Sequence, residues 1–183
     1  MSSSDRIQVL LQPVGMVPAD VLKLLEKMLS NQFSNSRFII APSIDLPSHA
    51  FDARRNQYVS PIILGWIQNK RKDATYNKVL GICNIDAYSG NLNFVFGEAQ
   101  VGGRIASIYL PRLKQEFYGL DPDESLFLQR VVKEAIHELG HAFGLSHCKT
   151  PTCVMYFSNS LADTDNKSKE FCDRCKLDFV RSI

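Results

Sequence analysis

The chain has 183 residues, 45% hydrophobic and 22% charged, which is enough apolar content to build a core and excludes an intrinsically disordered protein. Twenty-one basic against nineteen acidic side chains leave a formal charge of +2, so the bulk basic excess of a nucleic-acid binder is absent. No apolar run approaches the roughly 18 residues that a membrane helix requires, since the longest candidate, Val59 to Ile67, contains Pro61 and Gly65.

In chain order, Ser2-Ser3-Ser4 reads as a frayed start, and Asp5, Arg6, Gln8, Gln12 and Pro13 interrupt any signal-peptide core. The expectation is a soluble, cytoplasmic protein. Ile7 to Leu11 predicts a first strand, and Pro18 opens a helix in which Val21, Leu24, Leu25, Met28 and Leu29 keep helical spacing. Phe38-Ile39-Ile40 predicts a second strand that stops at Pro42, and Ser43 to Asn56 reads as a loop. A helix over about Ser60 to Asn69 places Ile62, Ile63, Trp66 and Ile67 on one face. Lys78 to Asp86, Leu92 to Gly97 and Arg104 to Tyr109 predict three more strands, the middle one following a Ser89-Gly90-Asn91 turn. Asp121-Pro122-Asp123 then starts a long helix, with Leu126, Leu128, Val131, Val132, Ala135, Ile136 and Leu139 in period, up to about Phe143. Gly144 stops it. The order β-α-β-α-β-β-β-α predicts an α+β (α/β-like) fold with a mixed sheet. The chain reads as a single domain, residues 1–183, in which 145–183 form an irregular subdomain after 1–144.

The chemistry concentrates at the end of that last helix, in His137-Glu138-Leu139-Gly140-His141-Ala142-Phe143-Gly144-Leu145-Ser146-His147. Histidines at i and i+4 project from one face about a turn apart, so both imidazoles can reach one ion. A left-handed Gly144 would turn the chain sharply and bring His147 back as a third ligand. Three neutral imidazoles suit zinc and leave a coordination position for water. Glu138 lies where it can hydrogen-bond that water, take its proton and pass it to a leaving amine. His49, in Leu46-Pro47-Ser48-His49, reads as a loop residue outside this cluster.

Of five cysteines, Cys83 sits in the apolar run Val79 to Cys83 and reads as a buried small hydrophobe. Cys148, Cys153, Cys172 and Cys175 crowd into the last quarter, with a C-x2-C knuckle and a second pair upstream. That spacing suits a structural zinc on four thiolates, with two disulfides or an iron–sulfur cluster as the competing readings. A redox role for Cys172-Asp173-Arg174-Cys175 lacks the thioredoxin-like unit that it needs.

The string H-E-x-x-H-x-x-G-x-x-H followed at once by C-x4-C-x-M and a distant C-x2-C resembles the archaemetzincins, a metzincin branch of zinc metalloproteases. Arg54-Arg55-Asn56-Gln57-Tyr58 and the stretch Gly81 to Glu98, ending Asn93-Phe94-Val95-Phe96-Gly97-Glu98, are similar to family sequence too. The resemblance implies zinc ligands His137, His141 and His147, Glu138 as general base and acid, and Met155 as a hydrophobic methionine turn beneath the metal. Sixteen residues separate Met155 from Cys172, one fewer than the family spacing, and the position where metzincins often carry a tyrosine is Phe157, next to Tyr156. The family architecture further implies that the Leu92 to Gly97 strand borders the cleft and offers an edge to an extended peptide.

The leading expectation is therefore a zinc-dependent peptidase with two zinc ions per chain, one catalytic and one structural, acting on a peptide or protein substrate. The contrasting reading is a latent or non-catalytic zinc-binding module, against which the presence of Glu138 counts. A nucleic-acid role for the tail is disfavoured because Thr164 to Ile183 holds five basic and four acidic side chains. A monomer is the default expectation for assembly.

Overall fold

In the computed structural model, which describes residues 6–72 and 75–182, the predicted elements recur with altered ends. The Ser2-Ser3-Ser4 start lies outside the described residues. Strand β1 runs Ile7–Val14, past the predicted end, because the buried Gln12 is satisfied in place. Its Nε2 donates to the carbonyls of Pro13 at 2.7 Å and Pro42 at 3.0 Å. Helix α1 spans Ala19–Gln32 after Pro18 and buries Val21, Leu22, Leu25 and Leu29. Strand β2 is Ser36–Ile40. The expected 43–56 loop contains a 3-10 turn at Ser48–Ala50 and strand β3, Phe51–Asp52, which pairs antiparallel with β4, Gln57–Val59. Helix α2 is Ser60–Lys70, and it buries Leu64 beside Ile63 and Ile67, whereas Ile62 and Trp66 are only half-buried.

Strand β5, Lys78–Cys83, stops three residues short of Asp86, whose carboxylate is engaged by Arg112. Strand β6 is Ala87–Tyr88, β7 is Gly97–Ala99 and β8 is Ile105–Tyr109. The predicted Leu92–Gly97 strand is corrected: only Gly97 is in a strand, and 92–96 run irregularly. The alternation Leu92, Phe94, Phe96 mimics a strand, but side chains of Arg55 and Gln57 take the carbonyls of Leu92 and Asn93 that a ladder would use. Helix α3, Glu124–Ala142, follows Asp123, whose side chain caps it by accepting from Leu126 N. The tail, expected to be irregular, holds two helices, α4 (Leu161–Asn166) and α5 (Asp173–Ser182). A reciprocal Ser160/Asp163 capping box starts α4, and Phe179 of α5 packs on the rings of Phe33, Phe143 and Phe171.

Five strands form one sheet in the order β2-β1-β5-β8-β7, parallel throughout except for the antiparallel edge strand β7. The small sheet β3-β4-β6 is also mixed. Alternation along the strands divides the main sheet into two faces. Val9, Leu11, Leu80, Ile82, Ala106 and Ile108 pack with α1 and α3, while Leu10, Val14, Val79, Cys83, Ile105 and Tyr109 pack with Ile63, Leu64 and Ile67 of α2. Cys83 is fully buried, as expected, and burial pushes its thiol up. Among the described residues no helix is long and apolar enough to cross a membrane.

Gly81 marks a close approach of α2 to the sheet, because a Cβ there would lie 2.5 Å from Ile67 Cδ1 and 3.3 Å from Ser107 Cβ. Gly81→Val should therefore lower stability by about 1–3 kcal/mol through overpacking, and Ile67→Ala in the same chain should recover part of the loss. Urea denaturation of the single and double variants measures both effects.

Candidate active site

Helix α3 is buried on every side from Arg130 to Ala142, so its backbone cannot simply fray into solvent at the end that carries the histidines. It ends in a hydrogen-bonded reversal. Gly144 takes φ +99°, Leu145 N–H donates to Gly140 O at 2.9 Å and Gly144 N–H to His141 O at 2.8 Å, the two bonds of a Schellman motif. The reversal brings His147 beside the helix, with its ring centroid 4.6 Å from that of His141 and 5.4 Å from that of His137.

The same backbone fixes the rings. His137 Nδ1 lies 2.7 Å from Val154 O, and His141 Nδ1 lies 2.7 Å from Leu145 O. A carbonyl oxygen only accepts, so each Nδ1 carries the proton and each Nε2 presents a lone pair. These two Nε2 atoms face one another at 3.1 Å. Two acceptors at that distance repel unless a cation lies between them, and ligands on a tetrahedral zinc at 2.0–2.1 Å stand about 3.3 Å apart. One ligand nitrogen from each of His137, His141 and His147 lies within 4.8 Å of the others, so the three could hold a metal ion. Burial, reinforced by the positive charge of Lys167, holds His137 well below its ordinary pKa and His147 below it. Burial also lowers His141, so the neutral, metal-binding form is favoured in all three. His49 stands apart, its ring edge-on to Trp66 at 6.0 Å.

Glu138 is 5% exposed, and among the described residues its carboxylate makes no hydrogen bond. It borders a cleft of about 520 Å³, lined also by the three histidines, Leu92 to Ala99, Val101 and Phe157. The edge strand comes down directly on it. A Cβ on Gly97 would lie 2.5 Å from Glu138 Cγ and 2.6 Å from Oε1, so only glycine leaves the carboxylate its place. Burial, with the carboxylates of Glu134 and Glu98 adding to it and Lys167 opposing, pushes Glu138 well above the usual carboxylate range. Its proton affinity is thereby raised.

Beneath the histidines lies Met155, fully buried against the helix. A Cβ on Gly140 would meet its sulfur, so the glycine inside the histidine motif admits the methionine. Phe157 holds an edge-on contact with His147 at 4.9 Å and has no hydroxyl to donate. The four tail cysteines are free and their sulfurs lie within 4.8 Å of one another. Cys148 Sγ and Cys172 Sγ are 3.7 Å apart, far beyond a disulfide at about 2.05 Å and close to the roughly 3.8 Å expected across a tetrahedral zinc. This cluster could hold a second metal.

Comparison with known proteins agrees with this geometry. Residues 12–181 match the profile of peptidase family M54. The chain is 44% identical over 171 residues, 91% of each chain, to the archaemetzincin of Pyrococcus abyssi. It is 43% identical over 169 residues to that of Methanocaldococcus jannaschii, covering 92% of this chain and 90% of the other. The crystal structure of archaemetzincin from Methanopyrus kandleri superposes with a TM-score of 0.87 at 36% identity, covering 99% of this chain and 97% of that one. The archaemetzincin of Archaeoglobus fulgidus, crystallised with malonate, gives 0.80 at 36% identity, covering 97% and 100%. The chain belongs to peptidase family M54. It is a zinc metalloprotease, and its substrates are peptides or proteins.

Two residues at this M54 site leave no mark in the motif. Glu134, one turn before Glu138, is 3% exposed and pairs at 2.9 Å with Lys167, which is 1% exposed. Thr164 Oγ1 donates to the same carboxylate oxygen at 3.2 Å, and Lys167 Nζ lies 3.5 Å from Tyr156 O. The i−4 spacing from Glu138 could have flagged Glu134, but Lys167 carries no sequence signal. Removing one partner of a buried pair strands the other's charge. Lys167→Met should thus destabilise the protein by about 3–5 kcal/mol, and adding Glu134→Gln should restore much of the loss. Thermal denaturation of the two single variants and the double variant closes the cycle.

Proposed function

We propose that the chain hydrolyses peptide bonds with Glu138 as general base and acid, and that it holds two zinc ions. One would sit on His137, His141 and His147, the other on Cys148, Cys153, Cys172 and Cys175. The observation that carries this reading is the pair of imidazole lone pairs facing each other at 3.1 Å, with both Nδ1 protons committed to backbone carbonyls. Bound at the histidines, zinc would supply Lewis acidity towards a peptide carbonyl and lower the pKa of a coordinated water. Glu138, without a hydrogen bond among the described residues and raised in proton affinity by its burial, takes the proton of the attacking water and delivers it to the leaving amine. The outer edge of β7, at the end of the sheet and against Glu138, suits an extended peptide held by main-chain hydrogen bonds.

The cysteine site is a closed one in this reading. Four thiolates saturate zinc and leave no position for water, so its part is to hold the tail. Cys172 precedes the first turn of α5 and its N–H donates to Cys153 Sγ at 3.3 Å. Burial opposes ionisation of Cys148, but bonds from Thr150 and from the Cys172 and Cys175 thiols outweigh it and bring that thiol down to about 7.

Glu138→Gln keeps the side chain's shape and removes its basicity. It should leave fold and zinc content intact and reduce cleavage of a peptide library by at least about 100-fold. Full hydrolysis by this variant would overturn the mechanism.

Elemental analysis should approach two zinc per chain, and cobalt exchange should produce thiolate charge-transfer bands from the cysteine site. Because burial lowers all three histidine pKa values, occupancy of their site should hold down to the ordinary histidine value of about 6.5 and be lost only below it. Cobalt d–d absorption followed through an acid titration reads this directly.

A further inference from the structure

We propose that Arg55 and Gln57 are positioning residues for substrate, setting how tightly a peptide is held through the Leu92–Phe96 wall of the cleft. This rests on the metallopeptidase reading above. The wall lines the cleft from Leu92 to Phe96 yet is not a strand, so its shape depends on what satisfies its backbone from behind. Its far end is built into the molecule. Val95 N–H donates to Ala87 O at 2.9 Å, Tyr109 N–H donates to Phe96 O at 2.8 Å, and the Phe96 ring is buried in the main core.

The near end hangs on two side chains. Arg55 Nη2 donates to Leu92 O at 3.0 Å and to Asn93 O at 2.9 Å, and Gln57 Nε2 donates to the same Asn93 O at 2.9 Å. Neither Arg55 nor Gln57 lines the cleft itself.

These donors are themselves aimed. Arg55 Nε donates to Gln57 Oε1 at 3.0 Å, and its guanidinium lies 3.8 Å above the Tyr88 ring. Tyr88 OH donates to Asp52 Oδ2 at 2.8 Å, while Asp52 Oδ1 accepts from the backbone N–H groups of Arg54 and Arg55. Asn56 closes this turn at φ +52°. Gln57, 5% exposed, also donates to Asp86 Oδ2 at 3.1 Å. Asp86 is gripped by Arg112, whose guanidinium lies 4.5 Å from the Phe94 ring centroid in the wall. The stretch Arg54-Arg55-Asn56-Gln57-Tyr58 is thus a clamp on the back of the cleft wall. Arg55 is exposed, so its replacement removes the clamp without opening the core.

The test compares two hydroxamates on the zinc-loaded protein. Acetohydroxamate engages only the metal, whereas a short peptidyl hydroxamate also lies along the wall. Arg55→Ala should weaken the peptidyl compound about tenfold and leave acetohydroxamate affinity, zinc content and thermal midpoint close to wild type. Arg55→Lys should not rescue, since an ammonium donates from a single atom and lacks the planar fork that reaches both carbonyls from Nη2 and Gln57 Oε1 from Nε. Gln57→Glu, isosteric but turned against Asp86 and Asn93 O, should likewise weaken the peptidyl compound, with a lower thermal midpoint because the new carboxylate is buried. On a cleaved peptide, KM should rise with kcat unchanged. Unchanged peptidyl affinity, or equal loss of both hydroxamates, would overturn the positioning role. If wild type bound acetohydroxamate but gained nothing from the peptide, the clamp would fail while the metal site stood. If wild type bound neither, both would fall.

Discussion

A helix buried on all sides cannot carry polar side chains unless each finds a partner, and α3 carries six between Arg130 and His141. Arg130 forks onto Asp165 through two bonds of 2.7 Å, and Lys133 Nζ donates to the carbonyls of Thr164 and Asp165. Glu134 pairs with Lys167, and His137 donates to Val154 O. Apart from Leu113 O, which accepts from Arg130 Nη1 at 3.0 Å, these partners all lie between residues 154 and 167. The tail is therefore the counterpart of the helix's polar face, and the four cysteines gather the chain from both ends of the same stretch. His141 is served by the helix's own reversal at Leu145. Glu138 is the exception: its carboxylate has no hydrogen-bond partner among the described residues, and it faces the cleft.

Much of this was legible because it is local. Histidines four apart, the glycine three beyond and the third histidine after it lie within eleven residues, where helix geometry alone places them. Four strands of the main sheet and its three large helices follow from period, with errors at the ends, whereas the edge strand β7 shares only Gly97 with the strand that the alternation predicts. What escaped depends on distance or on shape. Lys167 meets Glu134 across 33 residues and belongs to no repeat. Gly97 and Gly140 are required by Glu138 and Met155 pressing from other elements, which no local pattern announces. Residues 92–96 alternate as a strand does, and only the side chains of Arg55 and Gln57 reveal why they are not one. Helix α4 could have been found, since Ser160-x-x-Asp163 is a capping box.

The edge strand shows how little freedom the site leaves. Gly97 lies on Glu138, Gly102 N–H donates to His141 O at 2.9 Å, and Lys78 Nζ donates at 2.7 Å to both Gly103 O and Ala142 O. The chain from β7 to β8 is thus docked onto the last turn of α3. The edge strand and the histidine-bearing helix are tied directly to one another.

The stretch Cys153-Val154-Met155-Tyr156 serves both clusters within four residues. Cys153 supplies a sulfur, Val154 O orients His137, Met155 fills the space under Gly140, and Met155 O accepts from Cys148 N–H at 2.8 Å. A cation on the four sulfurs, as proposed above, would thereby stiffen the carbonyl that points the first imidazole. Thermodynamic reciprocity would then apply in both directions: a cation proposed at the sulfurs would strengthen retention at the imidazoles by the same factor that one at the imidazoles strengthens retention at the sulfurs. Under the two-zinc proposal, a chelator that emptied one cluster would loosen the other without any moving part.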